Sequence, residues 1–151
     1  MDDGNPRMKL STRSTYGMRA LVELALSGGR GPLSASVIAK RQDLPVAYLE
    51  QLLHRLKKQG VVTSVRGARG GYALAKAAHH ITMAEVVHIL DGENGRFHVA
   101  PRHAQRVAQA VWQCVHERLA QALEAVTLQD VCDVARTDTG DPLEHRYVFH
   151  I

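Results

Sequence analysis

The chain is poor in cysteine: it has two, Cys114 and Cys132, and they form no CxxC pair. That pattern suggests no disulfide framework. It also has no run of about 18 apolar residues, which argues against a membrane span. The stretch Met1-Asp2-Asp3-Gly4-Asn5-Pro6-Arg7 lacks the apolar segment of a signal peptide, so the expected location is the cytoplasm. No nucleophile–base pair, carboxylate pair or phosphate loop is visible. Gly67-Ala68-Arg69-Gly70-Gly71 has the glycines of a phosphate loop without its Lys-Ser/Thr, and an enzyme is not expected.

With 151 residues, 45% hydrophobic and 23% charged, the chain is one ordinary domain or a small domain with a helical arm. Its net charge of +4 is mild, but the distribution is uneven. Between Val37 and Lys76 stand Lys40, Arg41, Arg55, Lys57, Lys58, Arg66, Arg69 and Lys76 against only Asp43 and Glu50. A local basic zone in a near-neutral chain fits contact with a polyanion.

Periodicity orders the elements. A first helix is expected from Ser11 or Thr12 to about Ser27, with Met18, Leu21, Val22 and Ala25 on one apolar face. Gly28 to Pro32 breaks it, and Ser34 caps a short second helix containing Ala35, Ile38 and Ala39. After a turn at Gln42-Asp43-Leu44, Pro45 suits the first turn of a third helix, about Val46 to Gln59. There Leu49, Leu52, Leu53 and Leu56 make one apolar face, and Tyr48, Glu50, Gln51, His54, Arg55 and Lys58 lie on the other side. Gly60 suits the residue just past the helix end. Two short helices joined by a tight turn match a helix-turn-helix.

A hairpin follows, Val61–Val65 paired with Tyr72–Ala75, its glycine-rich loop carrying Arg66 and Arg69. After a helix-turn-helix this reads as a wing suited to phosphates or a narrow minor groove. Thr82 and Glu85 read as a capping box, with Ile81 stapled onto Val86, opening a helix that Asp91-Gly92 closes. A loop from 93 to 101 leads to a long helix, about Arg102 to Val126, striped by Ala104, Ala108, Val111, Val115, Leu119, Ala122 and Val126. Its 25 residues would span roughly 38 Å. So long a stripe on so small a domain suggests burial against a second chain, with Val107, Val111, Cys114, Val115, Leu119 and Leu123 facing the partner. Packing along its own domain is the alternative. Thr127 caps a last helix, Leu128 to Val134, and residues 135–151 are expected as a flexible tail.

The expected fold is therefore mostly α with a small β-hairpin wing, a winged helix-turn-helix plus a long C-terminal dimerisation helix. The divisions are 8–92 for the DNA-binding domain, 93–101 for the loop, and 102–134 for the dimerisation helix and terminal helix.

The motifs Met8-Lys9-Leu10-Ser11-Thr12-Arg13, Tyr48-Leu49-Glu50-Gln51-Leu52, Ser64-Val65-Arg66-Gly67-Ala68-Arg69-Gly70-Gly71-Tyr72 and Ile81-Thr82-Met83-Ala84-Glu85-Val86 occur in that order. Over residues 8 to 134 the chain resembles the Rrf-two family of bacterial regulators, which includes the IscR, NsrR and CymR types. The resemblance makes Met8 look like the family's usual start, with residues 1–7 an extension or a different start-site choice. It implies a homodimeric transcriptional regulator, with a repressor expected, bound to a two-fold related double-stranded operator. The recognition helix would enter the major groove and the wing the minor groove. Carried over residue by residue, Tyr48, Glu50, Gln51 and Arg55 lie on the recognition helix, and Arg66, Arg69, Gly70 and Gly71 on the wing. Lys9, Ser11, Thr12 and Arg13 lie in an N-terminal stretch suited to phosphates. Glu50 can accept from a cytosine amino group. Tyr48 has a second reading as core.

Two departures from the family stand out. Members that sense iron–sulfur status or nitric oxide hold a cluster with three cysteines around the start of the long helix, yet residues 92–106 here contain none. Cys114 lies about two turns beyond the last expected ligand, and Cys132 lies in the final helix. No iron–sulfur cluster and no other cofactor is therefore expected. Arg69 stands where the family wing usually has a third consecutive glycine. Cys114 reads as a small hydrophobe rather than a redox thiol. Nine histidines, among them His98 and His103, leave a metal ion open as an effector without predicting one. A small molecule or a modulating protein is equally open, as is a partner-binding adaptor that has lost DNA binding.

Overall fold

The computed structural model describes residues 10–28, 30–92 and 106–139. Lys9, the loop 93–101 and the residues from 140 onward lie outside them, as does the side chain of Val107. The elements are α1 (Thr12–Leu26), α2 (Ala35–Gln42), α3 (Val46–Lys58), β1 (Val62–Val65), β2 (Gly71–Leu74), a 3-10 turn (Ala78–His80), α4 (Met83–Asp91), α5 (Arg106–Ala125) and α6 (Leu128–Thr139).

The caps explain the boundaries. Ser11 Oγ accepts from Ser14 N at 3.0 Å, and Ser34 Oγ accepts from Val37 N at 3.2 Å, each satisfying a donor the first helical turn leaves unpaired. Asp43 ends α2 in the left-handed region (φ 52), a conformation Asp tolerates better than bulky residues do. This makes the turn between α2 and α3 tight. Pro45 occupies the N-cap position of α3, one residue earlier than expected. Gly60, at φ +76, closes α3 as foreseen.

A buried polar network fixes α2 against α1. Gln42 Nε2 donates to Glu23 Oε1 at 2.6 Å, Arg41 pairs with Glu23 Oε2 at 3.3 Å, and Arg19 Nε donates to Gln42 Oε1 at 3.0 Å. Arg19 also donates to the Gln42 carbonyl. Glu23 and Gln42 are both buried, where an unpaired carboxylate would be costly. Every bond of the network crosses between α1 and the end of α2, so it sets the angle from which α3 departs.

One continuous core lies beneath α1 to α4. Leu21, Val22, Ile38, Leu49, Leu52, Leu53, Leu56, Val61, Ile81, Val86 and Leu90 are almost wholly buried, and Leu128 and Cys132 of α6 join them. Gly17 lets α1 and α4 touch, since a Cβ there would stand 2.2 Å from Leu90 Cδ1.

The wing is antiparallel, Val62 opposite Leu74 and Val65 opposite Gly71. Leu33 bridges to Tyr72 with two backbone hydrogen bonds of 2.9 and 2.7 Å, so the loop end of the hairpin is stitched to the segment before α2. A second bridge joins Thr82 to Thr127. There Met83 N donates to Val126 O at 2.9 Å and Leu128 N to Ile81 O at 2.8 Å.

Two expectations need correction. The capping box at α4 is half formed. Thr82 Oγ1 accepts from Glu85 N at 3.2 Å, but the Glu85 carboxylate takes the Lys76 ammonium at 2.6 Å. A charge-assisted bond outcompetes the neutral N–H of a box. The last helix continues five residues past Val134, through Thr139. Leu128, Cys132 and Ala135 form its buried face, at the spacing of one helical stripe, so burial continues where a loose tail was expected.

Candidate nucleic-acid interface

The four leucines of α3 set its orientation. Leu49, Leu52, Leu53 and Leu56 are buried, and at about 100° per residue the direction opposite their mean passes through Ala47, Gln51, His54 and Lys58. All four are exposed, as are Val46, Glu50 and Lys57 on one flank. Tyr48 and Arg55 fall on the other flank; Tyr48 is half-buried against the core, and Arg55, though exposed, is tied to α4. The Tyr48 ring meets Tyr16 edge-on, with centroids 5.9 Å apart and planes at 80°, and Arg19 lies over the far ring at 5.5 Å. Arg55 donates NH1 to the Leu90 carbonyl at 3.1 Å. These two residues therefore position the helix, while Glu50 and Gln51 stand in the open.

The N-terminal stretch is similarly divided. Asp91, with 7% of its side chain exposed, accepts from Ser11 Oγ at 2.5 Å, Ser14 Oγ at 2.6 Å and Arg13 Nε at 3.1 Å. Ser11 thus caps α1 and ties it to α4. Arg13 keeps about half its side chain exposed, and Thr12 is exposed.

At the wing, Gly70 N donates to Gly67 O at 2.9 Å, a tight turn that puts Ala68 and Arg69 at its tip. Arg66 and Arg69 are exposed. Gly70 and Gly71 serve the chain's own packing. A Cβ on Gly70 would lie 2.2 Å from Val65 O, and one on Gly71 2.3 Å from the Leu33 carbonyl, with φ at +150. The close backbone approach these glycines permit is to Leu33 and Val65.

Of the eight basic residues between 37 and 76, Arg41 and Lys76 are held in ion pairs and Arg55 on a carbonyl. Lys40, Lys57, Lys58, Arg66 and Arg69 are exposed. His54, Ala47 and Val46 were absent from the candidate residues. The signal that finds them is the helical wheel drawn around the four leucines.

On α5, Val111 is 56% and Val115 41% exposed, and Cys114 is exposed between them. Leu119 is half-buried, and Leu123 packs against the core. Cys132 is buried, which pushes its thiol from 9.0 up to about 11, with Arg136 acting to lower it and Asp133 to raise it.

A short helix presented outward beside a cationic hairpin tip, both rooted in one core, is the working end of a helix-turn-helix transcriptional regulator. Residues 10–134 match the Rrf2 family, described as an iron-dependent transcriptional regulator, and the chain belongs to that family. It is 38% identical over 137 residues to the helix-turn-helix-type regulator slr0846 of Synechocystis, covering 86% of this chain and 91% of that one. With the regulator IscR of Photorhabdus laumondii it shares 33% identity over 145 residues, 89% of this chain and 88% of the other. The solved structure of CymR, the global cysteine regulator of Bacillus subtilis, superposes with a TM-score of 0.75 at 31% identity, covering 85% of this chain and 98% of CymR.

The family description implies iron. Among the described residues no three His, Cys, Asp or Glu side chains gather into a metal site. Of the two cysteines, Cys114 is exposed and Cys132 buried. No described helix is long and apolar enough to cross a membrane.

Proposed function

We propose that the protein is a cytoplasmic, sequence-specific repressor that binds a two-fold operator as a homodimer and carries no iron–sulfur cluster of the three-cysteine type. The observation that carries the reading is the exposed face of α3, Ala47, Glu50, Gln51, His54 and Lys58, together with the exposed Arg66 and Arg69 of the wing. Glu50 accepts from a cytosine amino group and Gln51 pairs with adenine N6 and N7 in the major groove. Arg66, Arg69, Lys57 and Lys58 meet phosphates.

A second copy supplies the second half-site. Val111, Cys114 and Val115 lie at i, i+3 and i+4 on α5 and remain exposed in the single chain. Pairing that face in two copies removes it from water and sets two recognition helices on half-sites about 34–36 Å apart. The effector is a metal ion, a small molecule or a partner protein acting near the loop before α5.

Binding of the anaerobically purified protein to duplexes from its own promoter region, over a salt series, tests the reading. Sedimentation mass and an absorption spectrum of the same sample complete it. The expected result is a colourless dimer whose affinity falls steeply with salt. A brown protein, a monomer on DNA, or salt-insensitive binding contradicts the corresponding part.

A further inference from the structure

The first turn of α3 is unusual for a helix that points into solvent. It has no side-chain cap on Pro45 and no acidic residue, although acidic residues are favoured at that end. It presents Val46, 38% exposed, and the exposed Ala47. Polar residues would suit water better at both positions. Ala47 lies on the outermost line of the helix and Val46 on the flank that carries Glu50. Ala47 and Gln51 are neighbours at i and i+4, as are Val46 and Glu50. An apolar step therefore stands immediately N-terminal to the two polar readers, at the end of a recognition helix that enters the groove first.

We propose that Val46 and Ala47 form a methyl-reading step that selects a thymine through its 5-methyl group, next to the base pairs read by Glu50 and Gln51. The inference rests on the DNA-binding reading above. In the major groove the thymine methyl is the one apolar landmark, and small apolar side chains are its complement. A helix start without carboxylates can also approach the phosphate-lined groove without like-charge repulsion. Glu50 excludes bases that offer it no donor. The methyl contact adds a position that hydrogen bonds do not cover.

The test uses wild-type protein and DNA chemistry. Operator sequences are selected from a random duplex library, and each thymine of the half-site is then replaced singly by deoxyuridine, which keeps base pairing and removes the methyl. One or two positions should lose roughly threefold to tenfold in affinity, as expected for one buried methyl. At those positions, Val46→Ser or Ala47→Ser should bind thymine and uracil within a factor of about two of each other. Uracil tolerated at every position, or a uracil penalty unchanged in both variants, overturns the proposal while leaving DNA recognition intact. Failure to select any duplex overturns the DNA-binding reading itself, and this one with it.

Discussion

Arg55 on α3 and Leu90 on α4, 35 positions apart in the chain, are joined by a 3.1 Å hydrogen bond from guanidinium to main-chain carbonyl. The next residue, Asp91, gathers Ser11, Ser14 and Arg13 from the start of α1. Two consecutive residues at the end of α4 therefore hold the recognition helix and the first helix together.

Arg55→Ala should lower stability by about 1–3 kcal/mol, the range for a charged hydrogen bond whose loss orphans a buried partner. It should weaken binding to all sequences alike. Gln51→Ala, on the open face, should leave stability within about 0.5 kcal/mol and relax preference at one base pair by about 1–3 kcal/mol. Urea melts and competition binding on paired operators separate the two outcomes.

Gly71→Ala should damage the wing where its loop meets β2. The added carbon would press on the Leu33 carbonyl, with φ at +150, so a loss of about 2 kcal/mol or more is expected in a urea melt. Gly67→Ala meets nothing within 4 Å but keeps a φ of +113. It carries backbone strain alone, of order 1–3 kcal/mol, and should cost less than the change at Gly71.

Arg66→Ala and Arg69→Ala should each reduce the slope of log affinity against log salt by about 0.9, one phosphate's worth. Arg41→Ala should leave that slope unchanged. Its partner is Glu23, buried at 3.3 Å, and the loss should appear as reduced stability instead.

The Cys132 thiol sits at about 11, above its ordinary 9.0. A raised value means that the folded state favours the protonated thiol. That contribution is complete below pH 9 and is lost as pH climbs from 9 through 11. Stability should fall across that window in the wild type and fall less in Cys132→Ala, measured by melts at stepped pH. In native protein an alkylating reagent at pH 8 should spare buried Cys132, and it should label Cys114 less as the α5 face pairs between two copies.

Local chemistry announces local structure here. The caps at Ser11, Ser34 and Thr82, the stop at Gly60 and the leucine face of α3 could all be read from spacing within a few residues. What escaped depended on distant partners. Tyr48 and Arg55 share the non-leucine side of α3 with Gln51, and only Tyr16 and Leu90 reveal that they make contacts within the chain. Glu85 had a plausible local bond until Lys76 offered a stronger one. That Val65 and Leu33 also require glycine at Gly70 and Gly71 shows only in the folded chain. The extension of α6 to Thr139 follows from burial of Ala135, which its polar flanks conceal.

The bridge between Thr82 and Thr127 has a mechanical consequence. It clamps the C-terminal end of α5 to the threshold of α4 through Val126 and Leu128. A helix of 20 residues is a rod of roughly 30 Å, held at one end by that clamp. The end of that rod, the threshold of α4 and, through the Leu90 carbonyl, Arg55 of the recognition helix thus form one chain of direct contacts.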